Sequence, residues 1–140
     1  MEINQDPTIG NNINQKANYN NIAYNFIQFY YDSLDKNLNN MFDINKNFIY
    51  KETSEFCLQG VLTKGGEKIY SKLLELNQRG CQHKINSVDV VTSGSRRLNI
   101  LVSGQIQLDG FTYSFTEYFH LASSKKENNW WIQADILRTL

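Results

Sequence analysis

Apolar residues recur every three or four positions over two stretches of the chain. Near the N-terminus Tyr19, Ile22 and Phe26 follow this spacing, which predicts an amphipathic helix from about residue 16. A second stretch, Glu67–Gln78, has the same period and predicts a second helix. Because each helix carries a wide apolar stripe, each must pack against another element, most simply a sheet.

Most of the remaining chain alternates apolar and polar residues, which is the period of a β-strand. Asp109–Gly110 is typical of a two-residue type I′ turn, and such a turn sets Leu108 opposite Phe111. The predicted elements outside the two helices are a short helical piece, Asn37–Asp43, and strands over Asn47–Lys51, Glu55–Val61, Gln82–Thr92, Arg96–Leu108, Phe111–Ala122 and Trp130–Leu137.

Two helices followed by a long antiparallel meander predict an α+β fold, with the helices on one face of a curved sheet. Alternating residues from Leu98 to Leu108 and from Phe111 to Leu121 form one apolar face of that sheet. Leu101, Tyr118 and Trp131 place large groups on the opposite face. Since the helices cover only one side, the exposed aromatic side predicts a sheet-to-sheet homodimer.

Composition limits the class of protein. The chain has 140 residues, 41% of them hydrophobic, which is enough for one packed domain. Fourteen acidic residues balance fourteen basic ones, so no net charge steers the chain toward nucleic acid or an anionic membrane. The polar opening, residues 1–15, is interpreted as a flexible tail before a domain spanning 16–140. Two distant cysteines and no secretory or membrane-spanning segment favour an intracellular protein.

Two carboxylates stand inside apolar strand patterns, and both are candidates for unusual chemistry. Burial raises the pKa of a carboxyl group, so Glu117 or Asp135 could serve as a general base in a closed pocket. The interpretation we favour is that each pairs with a basic residue across the sheet or across the dimer interface, for which Arg97 and Arg138 are available. His83, close to Cys81, lacks a second cluster of ligands, so a hydrogen-bonded structural histidine is expected, with no metal and no cofactor.

Short motifs in a shared order resemble the nuclear transport factor 2 family. Residues 26–31 read Phe-Ile-Gln-Phe-Tyr-Tyr, close to the Phe-Ile-Gln-His-Tyr-Tyr of the family's first helix. The resemblance covers residues 16–140. Its further motifs are Ile69-x-x-Lys72-Leu73-x-x-Leu76, Gln82-His83-Lys84-Ile85, Phe115-x-x-x-Phe119-x-Leu121 and Asp135-Ile136-Leu137-Arg138.

The resemblance implies a cone-shaped fold, a strongly bent antiparallel sheet packed on N-terminal helices, that forms homodimers and carries proteins through nuclear pores without catalysis. It places the protein in the cytoplasm and nucleus, at the nuclear pore. It implies that Tyr19 grips Phe-Gly repeats of nucleoporins, although packing of the helix explains Tyr19 equally well. It also implies import of the GDP-bound GTPase Ran, for which Tyr50, Glu52, Glu55 and Asp109 are the candidate residues.

Departures from the family pattern keep two other hypotheses open. The family's Trp-Glu-Gly reads Tyr50-Lys51-Glu52, and its acidic loop is shortened to Asp109-Gly110. The messenger-RNA-export cofactor of the family also lacks these acids and forms a heterodimer with a larger export receptor. A small-molecule enzyme of the same fold, an isomerase or dehydratase that uses Glu117 or Asp135, is the third hypothesis. No direct contact with nucleic acid or membrane is expected in any of them.

Overall fold

The computed structural model describes residues 11–42, 49–126 and 129–140, with side chains from residue 18 onward. Both predicted helices and all four long predicted strands are confirmed. In chain order the elements are α1 (Asn11–Lys36), a 3-10 helix (Leu38–Met41), β1 (Tyr50–Leu58), β2 (Val61–Lys64), α2 (Gly66–Gln78), β3 (Gln82–Thr92), β4 (Arg97–Leu108), β5 (Phe111–Ser123) and β6 (Trp130–Thr139).

Two element boundaries differ from the sequence prediction. Helix α1 begins at Asn11, so the last part of the expected tail is helical, while residues 1–10 lie outside the described part. The single strand predicted over Glu55–Val61 is wrong, because the chain reverses within it at Gln59–Gly60. Both turn residues have positive φ, 50° and 85°, and Gln59 is not a residue that marks such a turn in a sequence. The strand predicted over Asn47–Lys51 lies partly outside the described residues, and β1 begins at Tyr50.

The six strands form one sheet in the order β2-β1-β6-β5-β4-β3. All neighbouring strands are antiparallel except β1 and β6, which run parallel. The expected all-antiparallel sheet is therefore a mixed sheet. Since β1 and β6 come from opposite ends of the domain, no hairpin constrains their direction. The α+β class, with both helices on one face, is confirmed.

The β4–β5 hairpin has the predicted turn and register. Asp109 and Gly110 have φ values of 53° and 83°, and Leu108 pairs with Phe111. Farther along β4, Gly104 lies where the β3–β4 ladder shifts register. A Cβ at this position would come within 2.1 Å of the Lys84 carbonyl oxygen, so glycine is required for β3 to approach.

The sheet has an inner face covered by the helices and an open face. On the inner face, Leu98, Ile100 and Phe119 are fully buried in the hydrophobic core, as the alternation predicts. Phe111 is an exception on this face: it is 67% exposed, because it follows directly on the turn, at the end of the hairpin. On the open face Leu101 is 49% exposed, which agrees with the predicted uncovered side.

Candidate functional site

A cavity of about 900 Å³, the β1 pocket, lies where β1 and β6 begin and α2 starts. Its charged rim and aromatic wall come from three separate segments of the chain. The lining residues are Tyr50, Lys51, Glu52, Thr53, Lys64, Gly65, Gly66, Glu67, Lys68, Asn129, Trp130 and Trp131.

Two glycines place the first turn of α2 against β1. A Cβ on Gly66 would lie 2.9 Å from the backbone oxygen of Tyr50, so only glycine permits this approach. Gly65 has a φ of 93°, and its N–H donates to the carbonyl of Ser54. The Gly65–Gly66 pair thus fixes one wall of the β1 pocket directly beside the strand that carries Glu52.

The pocket rim is mixed in charge rather than acidic. Lys51, Lys64 and Lys68 outnumber Glu52 and Glu67 among the lining residues. The Lys51 ammonium lies 3.8 Å from the ring centroid of Trp131, a cation–π contact. A partner that uses this pocket therefore meets aromatic surface together with charges of both signs.

Tyr50 and Glu52, two of the residues implied for Ran binding, share the β1 pocket. The Glu52 side chain is exposed on the rim. The Tyr50 side chain is only 1% exposed; its ring stacks on Phe42 at 5.9 Å, and its hydroxyl points inward. The Tyr50 side chain thus separates the pocket from the core and does not expose its aromatic ring on the rim.

Glu55 and Asp109, the other two implied residues, lie elsewhere. Glu55 is exposed beside Ala134 and Lys64 on the sheet. The Asp109 carboxylate is held by Arg79, 2.8 Å away, just after the last turn of α2. Since α2 has 13 residues and begins at the pocket, its length of about 20 Å separates Asp109 from Glu52. The four residues do not form one cluster.

Tyr19, the residue implied for Phe-Gly binding, lies next to the β1 pocket. Its ring meets Trp130 edge-to-face, with centroids 6.3 Å apart, and the side chain is half-buried against the core. Because Trp130 also lines the pocket, the two rings form a continuous aromatic edge. Tyr19 therefore packs on the fold and also keeps an accessible part.

The buried carboxylates Glu117 and Asp135 do not pair with arginine, so the favoured interpretation is wrong. Both are 1% exposed on the inner face, whereas Arg97 and Arg138 are exposed. The reason is strand alternation: Arg138 follows the buried Leu137 and points to the other side of the sheet.

Tyrosines take the place of the expected arginines. Tyr31 donates to Oε1 of Glu117 at 2.8 Å, and Tyr50 donates to Oδ2 of Asp135 at 2.6 Å. The Tyr30 hydroxyl lies 3.5 Å from Oε2 of Glu117 and 3.3 Å from Oδ2 of Asp135. We call these five side chains the acid–tyrosine cluster.

The environment of the acid–tyrosine cluster favours neutral groups. Burial, and then the neighbouring Asp135, raise the pKa of Glu117 well above its ordinary value. Burial raises the pKa of Asp135 to about 6, although its hydrogen bonds act in the opposite direction. Burial also raises the pKa of each tyrosine in the cluster, which keeps the hydroxyls as donors. Neither Glu117 nor Asp135 lines the β1 pocket, and Tyr50 stands between.

One further cluster contains possible metal ligands. Asp35, Cys81 and His83 place their ligand atoms within 4.8 Å of one another. However, both oxygens of Asp35 already accept from His83, one from its backbone N–H and one at Nδ1, each at 2.7 Å. Burial, together with Asp35, raises the pKa of the Cys81 thiol to about 12, so it stays protonated. These contacts tie the end of α1 to β3, and His83 is the hydrogen-bonded structural histidine that the sequence suggests.

The open face of the sheet carries a continuous apolar row. Leu101 pairs with Tyr118, Tyr118 with Ile136, Ile136 with Cys57, and Cys57 with Leu62, so one row crosses five strands. Leu101 and Ile136 are 49% and 48% exposed. We call these five residues the open row. Trp131 lies on the same face, toward the β1 pocket.

Comparison with known proteins agrees with this architecture. Residues 22–139 match the model of the nuclear transport factor 2 (NTF2) domain family. Nuclear transport factor 2 of Schizosaccharomyces pombe is 27% identical over 125 residues, 87% of this chain and 96% of that protein. The chain therefore belongs to the nuclear transport factor 2 domain family, as its motifs suggest, and the cone-shaped fold of that family is confirmed.

Solved structures show how widely the fold is used. The structure of nuclear transport factor 2 from Cryptosporidium parvum superposes with a TM-score of 0.75 and 23% identity, covering 99% of this chain and 100% of that one. A chain of a Mex67:Mtr2 complex with a bound Sac3N peptide superposes with a TM-score of 0.63 and 14% identity, covering 84% of this chain and 97% of that one. At such identities the likeness concerns the fold alone.

Sequence reasoning did not find two parts of the site. The partnership of Tyr19 with Trp130 joins α1 to the last strand, and no local pattern links residues so far apart. The three tyrosines of the acid–tyrosine cluster also share no local pattern that marks them as a group. Tyr30–Tyr31 offered a partial sign, because two adjacent tyrosines on an apolar helix face bring hydroxyl groups that need partners when buried.

Proposed function

We propose that this protein is a non-enzymatic nucleocytoplasmic transport factor that works as a homodimer, binds Phe-Gly repeats of nucleoporins and imports Ran-GDP. The observation that carries the proposal is the open row in a member of this family. Two curated relatives that the chain matches over nearly their full length are named Nuclear transport factor 2. We place the protein accordingly between the cytoplasm and the nucleus, at the nuclear pore. Among the described residues, no helix is long and apolar enough to cross a membrane.

The open row fits a second copy of the chain. Large apolar side chains stand in register across neighbouring strands, and polar groups flank them: the Tyr118 hydroxyl donates to Asn99 at 2.5 Å. An apolar centre with a satisfied polar rim is the arrangement of a stable protein interface. Ile136→Asp should convert the dimer into a monomer in sedimentation, whereas Val61→Asp, at an exposed apolar position outside the row, should not. A wild-type monomer at micromolar concentration would contradict the proposed pairing.

The aromatic edge of Tyr19 and Trp130 supports the binding of Phe-Gly repeats. A phenylalanine side chain of a repeat can pack against such an edge while the fold holds both rings in place, so little conformational entropy is lost. Tyr19→Ala should weaken binding of a Phe-Gly peptide at least severalfold in a titration. Phe111→Ala removes an exposed ring at the far end of the β4–β5 hairpin and is the matched control. Equal affinities for wild type and Tyr19→Ala would remove Tyr19 from the site.

Glu52 is the residue through which we propose that Ran-GDP is recognised. Its carboxylate is exposed on the pocket rim, where it can pair with a basic group of the partner. Glu52→Arg should therefore lower the affinity for Ran-GDP in calorimetry and lower its salt dependence. Glu75→Arg, on the exposed side of α2 away from the pocket, makes the same charge change and should have no effect.

A second candidate function is that of an export cofactor that pairs with a larger receptor. The observation that favours it is the set of three lysines around Glu52, together with the capture of Asp109 by Arg79, which leaves few free acids for Ran. Binding of Phe-Gly peptides without measurable binding of Ran-GDP would support this candidate over the first. Heterodimerisation would then take place on the same open row.

A further inference from the structure

We propose that Glu117 and Asp135 hold one proton between them through neutral pH, so that the interior of the fold contains a built proton-binding site. Both side chains are fully enclosed on the inner face of the sheet, one on β5 and one on β6. The inference concerns the stability of the fold and does not depend on the proposed transport function.

A count of hydrogens carries the proposal. Three tyrosine hydroxyls have three hydrogens for four carboxylate oxygens, and the Tyr50 and Tyr30 hydroxyls also lie within hydrogen-bond distance of each other, at 3.1 Å. Tyr31 serves Glu117, Tyr50 serves Asp135, and the single hydrogen of Tyr30 lies between the two acids. Oδ1 of Asp135 is buried with no hydrogen-bond partner. If both acids were ionised, at least one buried carboxylate oxygen would lack a donor, and such a group is strongly destabilising. One added proton supplies the missing hydrogen, and an acid that holds it can donate to the other, because the carboxyl groups of Glu117 and Asp135 are hydrogen-bond neighbours.

Among the described residues, the hydrogen bonds to the two carboxylates come from tyrosines and not from a basic side chain. The other buried polar residues, Ser33 and Ser54, are not basic, but the His83 side chain is 1% exposed and its ring packs on Tyr31, with centroids 4.5 Å apart. The titratable groups that face the pair are Tyr30 and Tyr31 from α1, Tyr50 from β1, and beyond Tyr31 the Asp35–Cys81–His83 contacts between α1 and β3. Of these groups His83 alone can carry a positive charge, and its Nδ1 is already engaged with Asp35.

Glu117 is the better holder of the proton. Asp135 accepts the shortest hydrogen bond of the cluster, 2.6 Å from Tyr50, which stabilises its ionised form. Glu117 accepts its shortest hydrogen bond from Tyr31, at 2.8 Å. Its Oε2 lies 3.5 Å from the Tyr30 hydroxyl, which is long for a hydrogen bond. A proton on Glu117 therefore costs fewer hydrogen bonds, and two interacting acids of this kind lose their protons in separate steps.

The effect on stability has a definite sign. The folded chain holds a proton that the unfolded chain, with an ordinary glutamate pKa of about 4.3, has released at neutral pH. The contribution of this proton to the free energy of unfolding is therefore fully present at low pH and is lost as the pH rises. The equilibrium constant for unfolding should rise about tenfold per pH unit above about pH 5 through this one proton, until the folded-state pKa is passed.

The test compares wild type with Glu117→Gln, whose neutral amide mimics the protonated acid. Unfolding by urea, followed by the fluorescence of Trp130 and Trp131, gives the unfolding constant from pH 5 to 7.5. The ratio of the wild-type constant to that of Glu117→Gln should rise by about tenfold per pH unit. Glu75→Gln, at an exposed position on α2, is the matched control and should leave a constant ratio to wild type.

A second measurement needs no substitution and decides the matter if Glu117→Gln does not fold. Carbon-13 NMR of the wild-type side-chain carboxyl groups should show one buried glutamate that keeps the chemical shift of a protonated acid at pH 7. A glutamate set that titrates entirely near pH 4 would overturn the proposal. Parallel pH profiles of wild type and Glu117→Gln would overturn it as well.

Discussion

The two faces of β5 differ sharply although they alternate residue by residue. Toward the helices, Glu117 and Phe119 are enclosed, and the polar atoms find tyrosine partners inside the same chain. Toward the outside, Tyr118 belongs to the open row, whose neighbours Leu101 and Ile136 stand about half exposed. One strand thus serves two purposes at a spacing of a single residue: its inner side holds the domain together, and its outer side is suited to association with another chain.

This contrast also separates polar groups that matter for folding from those that matter for recognition. Glu117 and Asp135 are buried, and neither lines the β1 pocket; Tyr50 is the member of the acid–tyrosine cluster that forms part of the pocket wall. The charges that a partner could meet, Glu52 and the neighbouring lysines, are all on the rim. Strong pKa shifts often mark active sites; here burial is the main cause of the raised pKa of Glu117 and Asp135, and the hydrogen bonds from the tyrosines act in the opposite direction.

The largest expected difference in stability between the two faces appears when neighbouring aromatic residues of β5 are replaced by alanine. Phe119→Ala removes a fully buried ring packed on Phe26 and Tyr30 at 5.2 and 4.8 Å, and should lower the free energy of unfolding by about 3–5 kcal/mol. Tyr118→Ala, one residue away on the open face, should cost about 1 kcal/mol in dilute solution. Urea denaturation measures both, and equal losses would mean that the open face contributes to the core of the single chain.

Removal of a single tyrosine hydroxyl should also destabilise the fold more on the inner face than on the open face, but by a smaller amount. Tyr50→Phe takes away the 2.6 Å hydrogen bond to the buried Asp135 and should destabilise the fold by about 1.5–3 kcal/mol. Tyr118→Phe removes a hydrogen bond to Asn99 on the half-exposed face, and there water can replace the donor. Its cost should stay below about 1 kcal/mol. A larger loss for Tyr118→Phe than for Tyr50→Phe would contradict this assignment of roles.

The sequence predicts the elements of this fold better than their long-range contacts. Helix α2, strand β3 and the Asp109–Gly110 hairpin follow from local periods and turn residues, which act over a few positions. The parallel pairing of β1 with β6 leaves no local trace, since the partners are separated by most of the domain.

The candidate site shows the same limit. Burial of Glu117 and Asp135 could be predicted from the alternation along their strands, but the identity of their partners could not. Tyr31 lies 86 residues from Glu117, and Tyr50 lies 85 residues from Asp135. Charge alone predicts pairing with arginine, and strand alternation, which turns Arg138 outward, overrules it.

The smallest expected effect tests whether the open face is covered in solution. Leu101→Ser changes a side chain that is 49% exposed, so in dilute solution the free energy of unfolding should fall by no more than about 0.5–1 kcal/mol. If a second copy covers the open row, the loss should grow with protein concentration, because association stabilises only the folded chain. Thermal unfolding of wild type and Leu101→Ser at two concentrations a hundredfold apart measures this. Val61→Ser, at a position 61% exposed but outside the open row, is the control, and its loss of stability should not depend on concentration. If the loss of stability for Leu101→Ser is the same at both concentrations, the open face is not covered by a second copy.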